Sequence, residues 1–257
     1  MSKDSPTTSA ARELAIADLR ERIAALESGV AKRKGCLPFG LPDIDAVLPG
    51  GGLAYGALHE FAGGGSGTVD GAAAALFAAG VAARTKGKVV WCLTRPDLFM
   101  PALAQAGLHP DRVIFVESDR EEDVLASMEV ALGYGGLGAV VGEVVRLPMV
   151  SSRRLQLAAE KTGTMGIAVR RWRRQTEAND FGQPTASTTR WRVSVLPSEA
   201  LPVPGVGRAR WLVELMRSRA GACAEFCVGA CDEQGRIHIP FGSGDRQDTS
   251  GRSRHSA

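Results

Sequence analysis

The chain of 257 residues has few aromatic residues, four dispersed histidines and no long apolar run. No stretch approaches the roughly 18 apolar residues that a membrane helix needs, so we expect no membrane partner. Residues 1–6 are polar and lack the apolar core of a secretory signal. The five cysteines are odd in number and scattered, which suits a reducing compartment better than a disulfide framework. We therefore expect a cytoplasmic protein without a metal site.

A glycine-rich loop at residues 63–71 lacks the two side chains on which P-loop chemistry depends. A working P-loop follows G-x-x-x-x-G-K-S/T, and counting from Gly63 puts Val69 at the lysine position and Asp70 at the Ser/Thr position. Backbone amides at the start of a helix still attract anions, so weak phosphate binding and a tight turn without a ligand both stay open. The candidate phosphate contacts are Gly63, Gly64, Gly65, Ser66, Gly67 and Thr68.

Strand and helix signals alternate between residues 58 and 169, which predicts an α/β fold with a mostly parallel sheet. The expected strands are Leu58–Ala62, Val89–Leu93, Val113–Glu117, Ala139–Val145 and Ile167–Val169, and the expected helices are Val69–Thr85, Asp97–Gly107, Arg120–Leu132 and Ser151–Thr162. Residues 175–188 predict a long mobile loop. A β-rich C-terminal part follows, with strands at Thr189–Leu196, Arg210–Met216, Glu225–Val228 and Ile237–Ile239 and with Trp191 and Trp211 in the core.

Three regions are predicted along the chain. Residues 1–34 comprise a flexible end and an N-terminal helix, residues 35–242 form the core, and residues 243–257 form a disordered tail. Apolar residues recur every three or four positions in the N-terminal helix, among charged ones. This stripe, which packs either on a partner or on the protein's own core, consists of Leu19, Ile23, Leu26 and Val30.

Positive charge is concentrated in residues 146–219, which contain 14 basic and 5 acidic residues, whereas the rest of the chain is net negative. Such segregation favours a polyanionic or acidic partner. Arginines bind phosphates and an interleaved aromatic ring can stack on a base, so contact with DNA, contact with an acidic protein and a plain solvated surface all stay open. The candidate residues are Arg170, Arg171, Trp172, Arg173, Arg174, Arg190, Arg192, Arg208 and Arg210.

Residues 41–61 resemble the segment that leads into the P-loop of the RecA core, which implies a RecA-like P-loop-type fold. RecA-like ATPases carry a catalytic glutamate after the strand that corresponds to residues 89–93, where this chain has Arg95. Their metal-binding aspartate ends an apolar strand, where this chain has Gly142 and Glu143. Together with the altered glycine loop, these departures predict a degenerate ATPase that is not an enzyme and has no ATP cofactor.

More specifically, residues 12–240 resemble the family of inducible mutagenesis protein A (ImuA), which has been grouped with SulA-like proteins. The motifs that carry the resemblance are Leu48–Gly56, Gly63–Gly71, Leu157–Arg174, Ser187–Trp191, Pro204–Trp211 and Glu214–Arg219. The resemblance implies SOS-induced expression and a non-catalytic accessory role in translesion synthesis.

The same resemblance implies assembly with an inactive Y-family polymerase-like protein of the ImuB type and with an error-prone replicative-type polymerase. The chain would then bridge this complex to DNA or to RecA. Two other functions stay open: an ATP-dependent RecA paralogue of recombination and repair, and a SulA-type cell-division inhibitor.

Overall fold

The computed structural model describes residues 35–65, 67–172, 175–218 and 223–240 of the protein. Several predictions fall on residues outside these ranges and stay predictions. They concern the N-terminal helix with its stripe Leu19, Ile23, Leu26 and Val30, the loop residue Ser66, the arginines Arg173 and Arg174, and the tail 243–257.

Strands and helices alternate along most of the described chain, as the sequence predicts. In chain order they are β1 (Cys36–Leu37), α1 (Pro42–Ala46), β2 (Leu53–Ala54), β3 (Leu58–Gly63), α2 (Thr68–Ala83), β4 (Val89–Leu93), α3 (Met100–Gln105), β5 (Val113–Glu117), α4 (Glu121–Tyr134), β6 (Ala139–Val144), α5 (Met149–Thr162), β7 (Met165–Arg170), β8 (Thr189–Leu196), β9 (Arg210–Ser218) and β10 (Ala224–Gly229). Short 3-10 turns occupy Pro49–Gly51, Pro110–Arg112 and Gln175–Gly182.

Strands β3 to β10 form one eight-stranded sheet in the order β10-β9-β8-β3-β7-β6-β4-β5. The six strands from β8 to β5 in this order run parallel, whereas β9 and β10 are antiparallel to their neighbours. This arrangement confirms the predicted α/β class with a mostly parallel sheet and a β-rich C-terminal part. Because β3 lies between β7 and β8, the glycine loop follows a central strand of the sheet and not an edge strand.

Helices cover both faces of this sheet. On one face, the alanine-rich α2 packs close to the strands around Phe77, Trp191 and Trp211, which confirms the two tryptophans as core residues. On the other face, α4 and α5 bury residues such as Met128 and Leu155 against β4, β6 and β7. Among the described residues, no helix combines the length and the apolarity needed to cross a membrane.

Two predicted elements are shorter than expected. The helix predicted at residues 97–107 is confined to Met100–Gln105, because Pro101 is tolerated only in the first turn of a helix and so fixes its start. The strand predicted at residues 237–239 is reduced to one isolated bridge with Gly229.

The connection from β7 to β8 also differs from its prediction as a long loop without structure. Residues 175–182 form a 3-10 turn, and Thr185 and Ser187 are then buried against the sheet. The connection therefore packs on the sheet face at the position where a crossover helix usually lies. Its polar composition is explained by the buried charged groups that it contacts, which are described below.

Candidate functional site

The glycine loop meets the ends of β4, β6 and β7 at the carboxyl edge of the parallel strands. In open α/β sheets, ligands bind in crevices along this edge. A pocket of about 300 Å³ lies here, and its lining includes Thr68, Arg95, Asp97, Glu143 and Arg171. The pocket thus places two of the altered positions, Arg95 and Glu143, beside the start of α2.

The first glycines of the loop are required by close packing within the protein. A Cβ atom on Gly63 would lie 2.7 Å from the backbone carbonyl carbon of Asp70, and one on Gly64 would lie 2.0 Å from Oγ of Ser194. The N–H of Gly64 donates to the carbonyl of Val193 at 2.9 Å. This hydrogen bond extends the β3–β8 pairing into the loop and engages an amide that an anion-binding loop would present to its ligand.

The two altered P-loop positions point in different directions. Asp70 is only 2% exposed, and its Oδ1 accepts a hydrogen bond from the N–H of Val195 at 2.8 Å. Its carboxylate therefore ties the first turn of α2 to β8. Val69 is 56% exposed and brings no charge to the loop.

A guanidinium group fills the corner of the pocket where the resemblance to RecA-like ATPases would place a metal ion. Nη1 of Arg171 donates to Oε2 of Glu143 at 2.5 Å and to Oδ1 of Asp97 at 2.8 Å. The indole N–H of Trp91 donates to the other carboxylate oxygen of Glu143 at 2.9 Å. Both oxygens of Glu143 are thus engaged by neighbouring side chains.

The electrostatics of this corner keep Arg171 charged. Burial raises the pKa of Glu143, and the nearby Arg171 opposes that rise. Burial alone lowers the pKa of Arg171, but the charge of Glu143 and the hydrogen bonds to Glu143 and Asp97 outweigh it and raise that pKa overall. A divalent cation entering the corner would meet this fixed positive charge.

Arg170, a predicted DNA or partner contact, is fully buried, which corrects its place among the surface candidates. Its Nη1 donates to Oε1 of Glu60 at 2.5 Å, and its Nη2 donates to the carboxylate of Asp180 and to the carbonyl of Val145. Arg190 is 8% exposed and donates to the other oxygen of Glu60 at 3.0 Å. Two guanidinium groups thus enclose one buried carboxylate, so neither is presented to a phosphate backbone.

Trp172, the predicted base-stacking residue, is also covered. It is 7% exposed, and its ring centroid lies 5.7 Å from that of Phe181 in the β7–β8 connection. The guanidinium groups of Arg170 and Arg190 lie 5.9 and 5.1 Å from the same Phe181 ring. The connection therefore closes over the buried charges, and the Trp172 ring is not free to stack on a base in this conformation.

The other described basic candidates are spread along the antiparallel part of the sheet. Arg192 makes two hydrogen bonds to Glu214, at 2.7 and 2.5 Å. Nε of Arg210 donates to the carbonyl of Pro197 at 2.9 Å, and Arg208 is exposed. Of these three, Arg208 presents the most accessible charge, so the structure does not bring the predicted basic residues together as one surface.

Sequence reasoning missed the contacts of Glu60 and Asp97 with the arginines. Glu60 had a signal, because a carboxylate inside a strand that is buried on both faces requires partners. Asp97 had none, because it reaches Arg171 only through the packing of two strand ends that are 74 residues apart in sequence.

His59, beside Glu60 on β3, is buried as a neutral, hydrogen-bonded ring, whereas Glu60 is buried within ion pairs. Its Nδ1 lies 2.8 Å from Oγ1 of Thr189, and its Nε2 lies 2.9 Å from the carbonyl of Ala54. Burial lowers the pKa of His59 to about 4, so the ring is neutral near pH 7. Within the described ranges, no group of three histidine, cysteine, aspartate or glutamate side chains is arranged to hold a metal ion.

The fold and this site define a class of protein: a mostly parallel α/β protein with a glycine loop at the carboxyl edge of its parallel strands and an arginine between the pocket acids. No family model matches the chain. Over 226 residues the chain is 39% identical to the protein ImuA of Caulobacter vibrioides, in strains NA1000 and CB 15 alike, with 84% of this chain and 91% of ImuA covered. The chain therefore belongs to the ImuA family, as the sequence motifs predict. This membership links it to DNA damage-induced mutagenesis.

Proposed function

We propose that this protein is a non-catalytic accessory factor of damage-induced translesion synthesis, which bridges an error-prone polymerase complex to DNA or to RecA. Its partners in this proposal are an inactive Y-family polymerase-like protein of the ImuB type and an error-prone replicative-type polymerase. Membership of the ImuA family supports the process. The interior position of β3 and the glycine loop at its carboxyl end support a RecA-like core that has lost ATP turnover.

One observation supports the proposed absence of catalysis. Arg171 forms ion pairs with both Glu143 and Asp97 in the pocket beside the glycine loop. Phosphoryl transfer from ATP relies on Mg²⁺, which neutralises the phosphate oxygens, and on a lysine that contacts them. Here a fixed guanidinium neutralises the acids that a metal would use, and Val69 stands at the lysine position.

A calorimetric titration with Mg-ATP tests this absence. We expect no measurable heat at concentrations that would reveal a dissociation constant near 1 mM, about −4 kcal/mol of binding free energy. The variant Val69→Lys is a matched control, because it restores the lysine while Arg171 still holds the acids, and we expect no hydrolysis from it. Binding by the natural protein tighter than roughly 10 μM, or turnover by either protein, would contradict the proposal.

The DNA-bridging part of the proposal is tested on the exposed Arg208 and on two predicted arginines that lie outside the described residues. Replacing Arg173, Arg174 and Arg208 with alanine should weaken DNA binding and reduce its dependence on salt, because fewer phosphates are neutralised. Lys86→Ala is the control, since this exposed lysine precedes β4 at the opposite edge of the sheet. If the triple variant binds DNA with an unchanged dependence on salt concentration, these arginines do not contact DNA. The proposed bridging would then rely on contacts with proteins only.

A further inference from the structure

The eight-stranded sheet ends in two edge strands, β5 and β10, which differ in how they are protected. Unpaired N–H and C=O groups on an edge can bind another strand, so natural proteins protect edges with prolines, lysines, bulges or covering segments. At β10, Gly229 pairs with His238 of the segment that follows, and Glu225 adds an exposed charge. Strand β5 has neither proline nor lysine, shows no bulge against β4, and pairs with no second strand among the described residues. It is therefore the unprotected edge of the described sheet.

The backbone of β5 directs its hydrogen-bonding groups alternately towards β4 and away from it. The N–H of Ser118, just after the strand, donates to the carbonyl of Leu93 on β4 at 3.0 Å. The even-numbered residues of β5 are in step with Ser118, so they direct their N–H and C=O groups to β4. The odd-numbered residues, Val113, Phe115 and Glu117, direct theirs to the open side.

One donor on this open side is already engaged. The N–H of Val113 donates to the carbonyl of Pro110 in the preceding 3-10 turn. The carbonyl of Val113 and both backbone groups of Phe115 and of Glu117 have no backbone partner among the described residues. A well-matched strand therefore accepts from Phe115 and Glu117, donates to Val113 and Phe115, and needs nothing from the N–H of Val113.

Strand β5 itself meets this requirement. When two copies of β5 lie antiparallel about a two-fold axis at Phe115, each Phe115 faces the other, and each N–H donates to the opposite carbonyl, as in a hydrogen-bonded pair of antiparallel strands. Each Glu117 then faces Val113 of the second copy, and its N–H donates to the free carbonyl there. The engaged N–H of Val113 is not needed, so the open edge is self-complementary.

The side chains of β5 are apolar on both faces of the sheet. Phe115 packs partly on the core around Trp91, and Val116 packs partly on the core under α4 and α5. Ile114 is 50% exposed, whereas every residue of the neighbouring β4 is buried. In the antiparallel pair, Ile114 faces Val116 of the second copy on one face of the sheet, and the two Phe115 side chains are opposite each other on the other face. Apolar cross-strand pairs of this kind stabilise sheets.

The charges near β5 are of both signs, and the two-fold arrangement brings opposite signs together. Arg112 binds only backbone carbonyls, and Glu117 has no basic partner among the described residues. In the pair, Glu117 of one copy lies beside the strand end that carries Arg112 in the other. Asp111 comes opposite Asp119 of the second copy, but Lys88 donates to the carbonyl of Asp111 and so supplies a cation there.

We propose that β5 pairs with β5 of a second copy, so that the protein forms a two-fold symmetric dimer in which the two sheets are continuous. The contact uses the same residues on both copies, so it closes as a dimer and does not grow into a filament. This inference goes beyond the proposed function and does not depend on its partners.

Sedimentation equilibrium of the full chain tests the dimer, at concentrations from about 1 to about 100 μM. The mass of the natural protein should rise from that of one chain towards that of two. Ile114→Lys places a charge on the edge and should raise the dissociation constant of the dimer at least about tenfold. Val130→Lys is the matched control, because it adds the same charge to the 75%-exposed Val130 on α4, and it should leave the dimer unchanged.

A second pair of variants tests the hydrogen bonds directly. Glu117→Pro removes a donor that faces the open side, and proline is tolerated at such edge positions, so the variant should fold but dimerise at least about tenfold more weakly. Glu117→Ala removes the same exposed carboxylate but keeps the N–H, and it should weaken the dimer less. Circular dichroism checks that all variants fold.

Three results would overturn the inference. The first is a natural protein that sediments as a single chain at about 100 μM. The second is a dimer whose dissociation constant is the same in Ile114→Lys, Glu117→Pro and the natural protein, because such a dimer uses another surface. The third is growth beyond two chains, which a closed two-fold contact does not allow. None of these results bears on the proposed bridging function.

Discussion

Arg170 and Arg171 are consecutive residues, yet they take part in two different regions of the molecule. Arg170 belongs to a buried cluster with Glu60 and Arg190, whereas Arg171 pairs with Glu143 and Asp97 in a solvent-accessible pocket. Neighbouring residues of an extended chain point to opposite sides, so one strand end supplies both regions. A run of arginines in a sequence is therefore not evidence of one basic surface.

The two regions also differ in what their ion pairs do. Around Glu60, water is excluded, and a carboxylate without its partners would be very unfavourable. Around Glu143, one side of the cluster faces the pocket, and solvent can compensate for a lost partner. Substitutions around Glu60 should thus mainly lower the free energy of unfolding, whereas substitutions around Glu143 should mainly change ligand binding.

The strongest test of this difference is Arg170→Met. The substitution leaves Glu60 buried with half of its ionic partners, and we expect a loss of about 3–5 kcal/mol in the free energy of unfolding. Urea unfolding measures the loss. The added change Glu60→Gln removes the uncompensated charge and should recover part of it. A loss in Arg170→Met no larger than that in Arg171→Met would show that the two regions are equivalent.

The glycine loop allows a test of whether its glycines are required by packing within the protein or by a bound ligand. Gly64→Ala places a Cβ atom 2.0 Å from Oγ of Ser194, and we expect a loss of about 2–3 kcal/mol in the absence of any nucleotide. Gly65→Ala is the matched control, because nothing lies within 4 Å of its Cβ position. Adding Ser194→Gly should restore part of the stability of Gly64→Ala, because the Cβ position also lies 2.9 Å from Oδ2 of Asp70. Equal stability of the two alanine variants would remove the packing explanation.

His59 extends the comparison from a buried ion pair to a buried neutral group. Its folded pKa of about 4 lies below the unfolded value of 6.5, so its stabilisation is present above pH 6.5 and is lost as the pH falls towards 4. Between pH 7 and pH 5 we expect this residue to account for a loss of about 2 kcal/mol. Urea unfolding of His59→Gln at both pH values should show a correspondingly smaller difference. The same difference in both proteins would assign the acid sensitivity to other groups.

Arg171→Met should have the smallest effect on stability, below about 1 kcal/mol, because its side chain is 26% exposed and solvent reaches the pocket. The substitution removes the cation from Glu143 and Asp97, so the variant should gain stability in millimolar Mg²⁺, whereas the natural protein should not. Thermal unfolding with and without Mg²⁺ measures this. A variant that is indifferent to Mg²⁺ would argue against the guanidinium as a substitute for a metal ion.

Local patterns were sufficient to predict most of the fold. The continuous apolar run at Val89–Leu93 and the alternation at Thr189–Leu196 predicted buried strands, and both occur with those bounds. The packed connection before β8 could not be predicted, because the reason for its polar residues is Glu60, which is more than 100 residues away. The candidate site was predictable as a position on the chain, from the glycine loop, but not as a set of contacts.

The packing of Gly63 and Gly64 has a consequence for how glycine motifs are interpreted. Neighbouring protein atoms leave no room for a side chain at either position. Substitutions there should therefore destabilise the protein even when no nucleotide is present. Glycine spacing in such a loop records the distance between a strand and a helix. Glycine spacing predicts nucleotide binding only when the charged and polar side chains that contact the phosphates are also present.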